Sequence, residues 1–266
     1  MKTKILDFDR SSLGTIDLPP VFHTPYHPAV IHKAYVSLRS HSFQAQGRYA
    51  NAGEVVSAES RNTGLGIARV ARARGQGFPR AGQAAGIAGV RHGRVAHPPV
   101  SLRRTYKKIN RKERILALCS AIAATTRLDL IKQRGHQLEG SVELPMIVSN
   151  KIESLDKTRD LRNALIKLGL EADLKRASSK SRTVRGTSRR QGRSSGVSVL
   201  LVVANNSNIM KLSRSLPGVD VKAVEGLNVL DLLPGSKPIR LTIYSQNAIN
   251  KLAKFNVFTR REEANE

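Results

Sequence analysis

Val197-Ser198-Val199-Leu200-Leu201-Val202-Val203-Ala204 is the strongest strand signal in this chain, with seven apolar residues in eight. A run this short and this apolar predicts a strand buried on both faces, as in the middle of a parallel sheet. The chain beyond Ala204 keeps a steady rhythm. A helix is expected over Asn208 to Ser215, a strand over Asp220 to Val224, and a helix over Leu227 to Leu233. A strand from Ile239 to Tyr244 and a helix from Asn247 to Lys254 complete it. Alternation at this spacing means a parallel sheet with right-handed crossovers. The fold class is therefore α/β, a Rossmann-like parallel-sheet body.

Upstream, Lys4 to Phe8 and Thr15 to Leu18, joined across Gly14, read as a short hairpin that Pro19 and Pro20 stop. Apolar residues at helical spacing (Val30, Ile31, Ala34, Tyr35, Leu38) follow Pro28, a residue that suits a helix start. Glu113 to Thr126 predicts a helix, and Leu144 to Val148 a short buried strand. Ser154 is placed to cap a helix over Leu155 to Leu168 that ends at Gly169. One domain spanning 1–266 is expected, with two insertions of a different character.

The first insertion is a long extended loop over about 46–106. Residues 61–112 contain thirteen Lys/Arg, eight Gly and neither Asp nor Glu. So few large apolar groups cannot offset the entropy of ordering the segment, which is expected to fold on a partner. The second is a limb over about 175–196, where eight Lys/Arg stand among Ser, Thr and Gly with a single Val. The chain's net charge is +25, and these two acid-free stretches supply 13 and 8 of it. The rest is nearly neutral. A densely negative partner is implied, and folded RNA fits best. From Arg61 to Arg104 every basic residue is arginine, whose planar guanidinium grips phosphate through two hydrogen bonds and stacks on bases. Phe78 is the one aromatic residue there, which argues against serial base stacking. The candidate RNA-binding residues in and beside the loop are Arg61, Arg69, Arg72, Arg74, Arg80, Arg91, Arg94, Arg103, Arg104, Lys107, Lys108 and Arg111. Lys180, Arg182, Arg185, Arg189, Arg190 and Arg193 are those of the limb.

An α/β sheet invites an enzymatic reading, and the chain gives it no residues. No Walker motif, nucleophile elbow or His-Glu-x-x-His is present. Gly64-Leu65-Gly66 and Gly75-Gln76-Gly77 lack both a preceding strand and the third glycine of a dinucleotide fingerprint. Pro25 separates His23 from His27 and spoils a helical metal face. No catalytic residue, cofactor or metal is expected. Cys119 is the single cysteine, so there is no internal disulfide, and it is expected to pack as a small apolar residue. No run of about 18 apolar residues exists for a membrane span, so no membrane partner is expected. Two rival readings are an RNA-modifying or nucleotide-dependent enzyme with gripping limbs, and a chromatin-like DNA-binding protein. The first lacks a cofactor loop, the second a recognition helix or dimer.

Several motifs in order resemble one family. Ser57-Ala58-Glu59-Ser60-Arg61-Asn62-Thr63-Gly64 is followed by Arg69-Val70-Ala71-Arg72-Ala73-Arg74-Gly75, Arg80-Ala81-Gly82-Gln83 and Gly93-Arg94. Downstream stand Arg134-Gly135-His136 and Glu143-Leu144-Pro145. Together they resemble the universal large-subunit ribosomal protein L-four family in its archaeal and eukaryotic branch. The short C-terminus resembles the archaeal form. The resemblance spans essentially the whole chain. It implies a structural, non-enzymatic component of the large ribosomal subunit in the cytoplasm, binding ribosomal RNA and joining early in assembly. It also implies that the loop tip helps line the nascent-peptide exit tunnel, near ribosomal protein L-twenty-two and the nascent peptide. By position that tip is Arg72, Arg74, Gly75, Gln76, Gly77, Phe78, Pro79 and Arg80. No homo-oligomer is expected.

Overall fold

A computed structural model of the chain describes residues 2–138, 142–180, 196–205, 208–236 and 238–253, together with the backbone of 182–184 and 192–194. Two units are present. One comprises Met1–Arg39 and Lys107–Glu266, the other Ser40–Tyr106.

The first unit opens with the expected hairpin, β1 (Lys2–Leu6) against β2 (Ser12–Asp17), antiparallel. Helix α1 (Pro28–Ser40) begins at a proline, whose missing N–H costs nothing at that position. The second unit holds β3 (Ala58–Ser60) and β4 (Ala71–Ala73). Back in the first unit come α2 (Arg111–Ala124) and α3 (Leu128–Arg134), the latter closed by Gly135 at φ 95. Next are β5 (Met146–Val148), α4 (Thr158–Lys167) and α5 (Glu171–Ser179). A short pair, β6 (Arg182–Val184) and β7 (Gly192–Ser194), precedes β8 (Leu200–Val203). The chain continues through α6 (Ile209–Leu212), β9 (Asp220–Ala223), α7 (Val229–Leu232), β10 (Thr242–Ser245) and α8 (Gln246–Ala253).

Six strands form one sheet in the order β2-β1-β5-β10-β8-β9. Every pairing is parallel except that of β1 with β2. All residues of β5, β8 and β10 are buried, so apolar groups cover both faces of the sheet's middle, as the run at 197–204 predicts. Fully burying each of these aliphatic side chains contributes about 1.5–3 kcal/mol. Tyr244 is also fully buried. It meets Phe22 edge-on with ring centroids 5.5 Å apart, and its hydroxyl lies 3.2 Å from Thr125 Oγ1. Cys119 is buried in α2, and burial pushes its thiol up to about 11.

Three local expectations need correction. Ser154 does not cap the helix after it. Its hydroxyl donates to the Lys151 carbonyl at 2.9 Å, closing a 3-10 turn over Asn150–Ser154, and Leu155 is extended, so α4 starts only at Thr158. The far end is as expected: Leu170 N donates to Leu165 O at 3.2 Å and Gly169 N to Ile166 O at 2.8 Å, a Schellman closure at Gly169. The second basic stretch is helical at its start, because α5 runs to Ser179 with Asp173 and Ala177 buried one turn apart. Composition hides that helix, since one of its two inward residues is an acid. Helix α3 is an addition to the expected elements; it is a short helix of about two turns with Ile131 as its one buried residue, too little for a periodic signal.

Candidate nucleic-acid interface

Unit Ser40–Tyr106 contains ten arginines, no lysine, and two acids, Glu54 and Glu59. Its backbone is more regular than its composition implies. Strands β3 and β4 pair antiparallel with Glu59 opposite Arg72, and Arg72 bridges onward to Ala84. Ala73 N donates to Gln83 O at 2.9 Å, Gly82 N to Ala73 O at 3.1 Å and Ala85 N to Ala71 O at 2.9 Å. A third segment thus pairs along β4, and the small side chain of Ala73 is buried at the centre. Backbone pairing does here what a large apolar core does elsewhere. The small residues Ala71, Ala73, Gly82 and Ala84 let the three segments approach.

Between β4 and the returning segment, residues 74–81 form the tip. Gly75 has φ 100, and a Cβ there would lie 3.1 Å from the Phe78 ring, so glycine answers both to the turn and to the aromatic beside it. Ala81 N donates to Phe78 O and Gln83 N to Arg80 O, while the Gln83 side chain reaches Pro79 O at 3.1 Å.

The arginines divide by what holds them. Arg74 is ion-paired with Glu59, and Arg94 lies 3.7 Å from Glu54, so each acid of the unit faces an arginine. Arg72 donates Nη1 to Gly82 O at 3.0 Å, and its buried Nε has no partner among the described residues. Arg104 lies over the Tyr106 ring at 5.4 Å, which His41 meets edge-on. Arg61, Arg69, Arg80, Arg91 and Arg103 are exposed, and no hydrogen bond or ion pair holds their guanidinium groups among the described residues. In the first unit, Lys108 and Arg111 are exposed at the start of α2, beside Lys107. Sequence reasoning misses Glu54 and Glu59. Their position just ahead of the acid-free stretch is the available signal.

The second limb springs from a clamped base. Gly196 N donates to Ala177 O at 3.0 Å and Arg176 Nη2 to Val197 O at 2.7 Å, so the two stems are tied together. A Cβ on Gly218, at φ 80, would lie 2.2 Å from Gly196 O, and only glycine admits that approach. Behind the tie sits Asp173, with no solvent exposure. It accepts from His136 Nδ1 at 3.1 Å, Gln137 N at 3.1 Å, Arg176 Nε at 2.9 Å and Ser198 Oγ at 2.6 Å. Burial opposes ionisation of Asp173, yet these bonds outweigh it and hold the carboxyl well below its usual range. His136 Nε2 accepts the Leu241 N–H at 3.3 Å, so the ring carries its proton on Nδ1 and is neutral. Burial is the main cause that holds His136 below its ordinary value, against the pull of Asp173. Nearby Arg134, lowered to about 10 by burial and by Arg240 and Arg176, donates to the carbonyls of Pro238 and Pro234. Lys180 is exposed where α5 ends. Arg182 and Arg193 lie on the paired backbones of β6 and β7, with Thr183 opposite Arg193. The side chains of those two, and all of Arg185, Arg189 and Arg190, lie outside the described residues.

No group of three or more His, Cys, Asp or Glu among the described residues could hold a metal ion, and no described helix is long and apolar enough to cross a membrane. The two clusters of geometry are instead a paired arginine-rich unit and a clamped basic limb. The model of the Ribosomal protein L4/L1 family matches residues 16–255. The large ribosomal subunit protein uL4 of Methanococcus vannielii is 40% identical over 254 residues, covering 95% of this chain and 98% of its own. That of Halobacterium salinarum is 38% identical over 257 residues, covering 96% and 100%. That of Haloquadratum walsbyi is 37% identical over 253 residues, covering 95% and 99%. A match of this extent means that the chain belongs to the Ribosomal protein L4/L1 family.

Proposed function

We propose that this protein is a structural, non-catalytic constituent of the large subunit of the cytoplasmic ribosome, and that it holds ribosomal RNA through its two basic segments. The observation that supports this most is the separation of charge. Unit Ser40–Tyr106 matches its two acids to Arg74 and Arg94 and leaves Arg61, Arg69, Arg80, Arg91 and Arg103 exposed without internal partners among the described residues. Guanidinium groups set on a backbone-paired frame suit phosphate contacts at fixed spacing. The limb beyond Lys180 supplies a second contact from a base that Asp173 and Arg176 make rigid. Two grips far apart in sequence suit a protein that joins its RNA early and stays.

The segment from Arg72 to Arg80, the end of β4 and most of the tip beyond it, is what, in this reading, lines the exit tunnel near ribosomal protein L-twenty-two and the nascent peptide. Its support is the resemblance together with the local geometry: a turn held by its own backbone bonds, presenting Phe78, Pro79 and Arg80 outward. Co-sedimentation with large subunits at moderate salt tests the reading. The tagged protein should travel with the large subunit and resist a moderate-salt wash. Recovery in the soluble fraction, or with chromosomal DNA, would overturn it.

A further inference from the structure

The parallel sheet has a place where this architecture ordinarily admits a ligand, and the protein's own side chains occupy it. From β5 the chain passes the position of β10 to form β8, goes outward to β9, then returns to fill the gap. Ligands of open α/β sheets bind outside the carboxyl ends of the strands at such a switch in order. Here the carboxyl ends of β5, β10 and β8 are spanned by the 3-10 turn Asn150–Ser154. One of its residues, Glu153, reaches across. Its Oε1 accepts the backbone N–H of Ala204, the first residue after β8, at 3.0 Å, and the hydroxyl of Ser245, the last residue of β10. Ser245 is fully buried, and its Oγ in turn accepts the N–H of Ala248 in the first turn of α8, at 3.1 Å.

A backbone N–H after a strand, a hydroxyl, and the opening turn of a helix are the donors that nucleotide-binding sheets offer to phosphate. In this protein one carboxylate oxygen takes the first two directly and the third through Ser245. The turn that supplies it is pinned on both sides. Asn150 and Asn247 exchange hydrogen bonds at 3.0 and 2.9 Å, Lys151 is paired with Asp7 at 2.8 Å, and Ile152 is fully buried. Glu153 is therefore delivered to the position by the backbone, not by a flexible reach.

We propose that the Glu153 carboxylate is a built-in anion that closes the ligand crevice of the α/β body, standing where a phosphate group would otherwise bind. The body keeps a parallel sheet with a switch in strand order, while its own acid satisfies the donors and repels a second anion. This does not depend on the ribosomal reading.

The test uses the full-length chain, thermal unfolding, and two salts at equal ionic strength, chloride and acetate. Glu153→Ala should melt about 5 °C below wild type in chloride, the size expected for losing a charge-assisted, part-buried contact. In acetate it should regain at least half of that loss, because a free carboxylate can enter the vacated position; wild type should melt alike in both salts. Glu153→Gln, which keeps the shape without the charge, should melt below wild type in chloride and gain nothing from acetate. Equal losses for Glu153→Ala in the two salts would overturn the proposal, as would a Glu153→Gln protein as stable as wild type, since either result makes the charge irrelevant. A Glu153→Ala chain that refolds from denaturant in acetate but not in chloride would support it.

Discussion

Replacing Asp173 by alanine should be among the most damaging single changes in the chain, although nothing in the local sequence marks it. The carboxylate is fully buried and accepts from four donors: His136 Nδ1, Gln137 N, Arg176 Nε and Ser198 Oγ. Alanine leaves all four without an acceptor and leaves the Arg176 charge, almost as deeply placed, without its counter-charge. Removing one partner of a buried ion pair costs about 3–5 kcal/mol. A chain of this size melts about 2–4 °C lower for each kcal/mol, so Asp173→Ala should lower the midpoint by about 6–20 °C. Asp173→Asn keeps the volume and one acceptor but turns an amide toward donors, so it should fall between the two. Circular dichroism on heating measures the loss. Native-state hydrogen exchange locates it: the amides of Ser198, whose N–H bonds Gly218 O, and Gly196, whose N–H bonds Ala177 O, should lose protection first. An Asp173→Ala protein melting within about 2 °C of wild type would refute the reasoning, because four buried donors cannot be abandoned that cheaply.

Acid should act through the same cluster. His136 is held below its ordinary 6.5, so at higher pH neither state binds the proton and the full stability is present; as pH falls through about 6.5 the unfolded chain takes up the proton first and stability is lost. Asp173, held below 3.8, adds a further loss in the same direction under about pH 4. Urea midpoints measured from about pH 8 to about pH 2 should fall in those two windows, and His136→Asn should flatten the upper one. Replacing Arg103, Arg104, Lys107 and Lys108 by glutamine should reduce the slope of log affinity for ribosomal RNA against log salt by about 3 if each side chain neutralises one phosphate; an unchanged slope would place them in solvent. Removing Gly75 to Ala84 takes away one arginine, Arg80, and no apolar cluster, together with the Gly82 to Ala84 segment that pairs along β4, so the structural loss falls on the local frame of the second unit. Entry into subunits should survive at a cost of about 1.5–3 kcal/mol in RNA binding, with the effect appearing instead in a stalling-peptide translation assay. Failure of the shortened protein to enter subunits would make the tip an assembly element.

Features that depend on neighbours along the chain are legible before any folding is considered. Val199 to Val203 reads as a buried strand, because a run so apolar has no face to offer water and is short and rich in Val, and β8 is buried at every residue. The hairpin at the N-terminus, the Gly169 stop, the alternation after Ala204 and the family motifs are equally local. The gathering of charge into two acid-free stretches is visible on the printed chain. Where isolated charges go is a matter of packing. Asp173, Glu153 and Arg240 carry no local mark in the sequence, yet each ends where the backbone leaves donors or acceptors to be met. Arg240, nearly fully buried, donates to the carbonyls of Ser198, Val199 and Gly218 and pairs with Asp220. Those partners lie 20 to 42 residues away in sequence, and no period or propensity records them. The same holds for strand order. That β10 enters between β5 and β8 follows from which edges remain unpaired once the other strands are laid down, a property of the assembled sheet. Local sequence sets what each segment must bury, and only the packed whole settles which buried polar group meets which, because an unmet one costs more than any local preference can return.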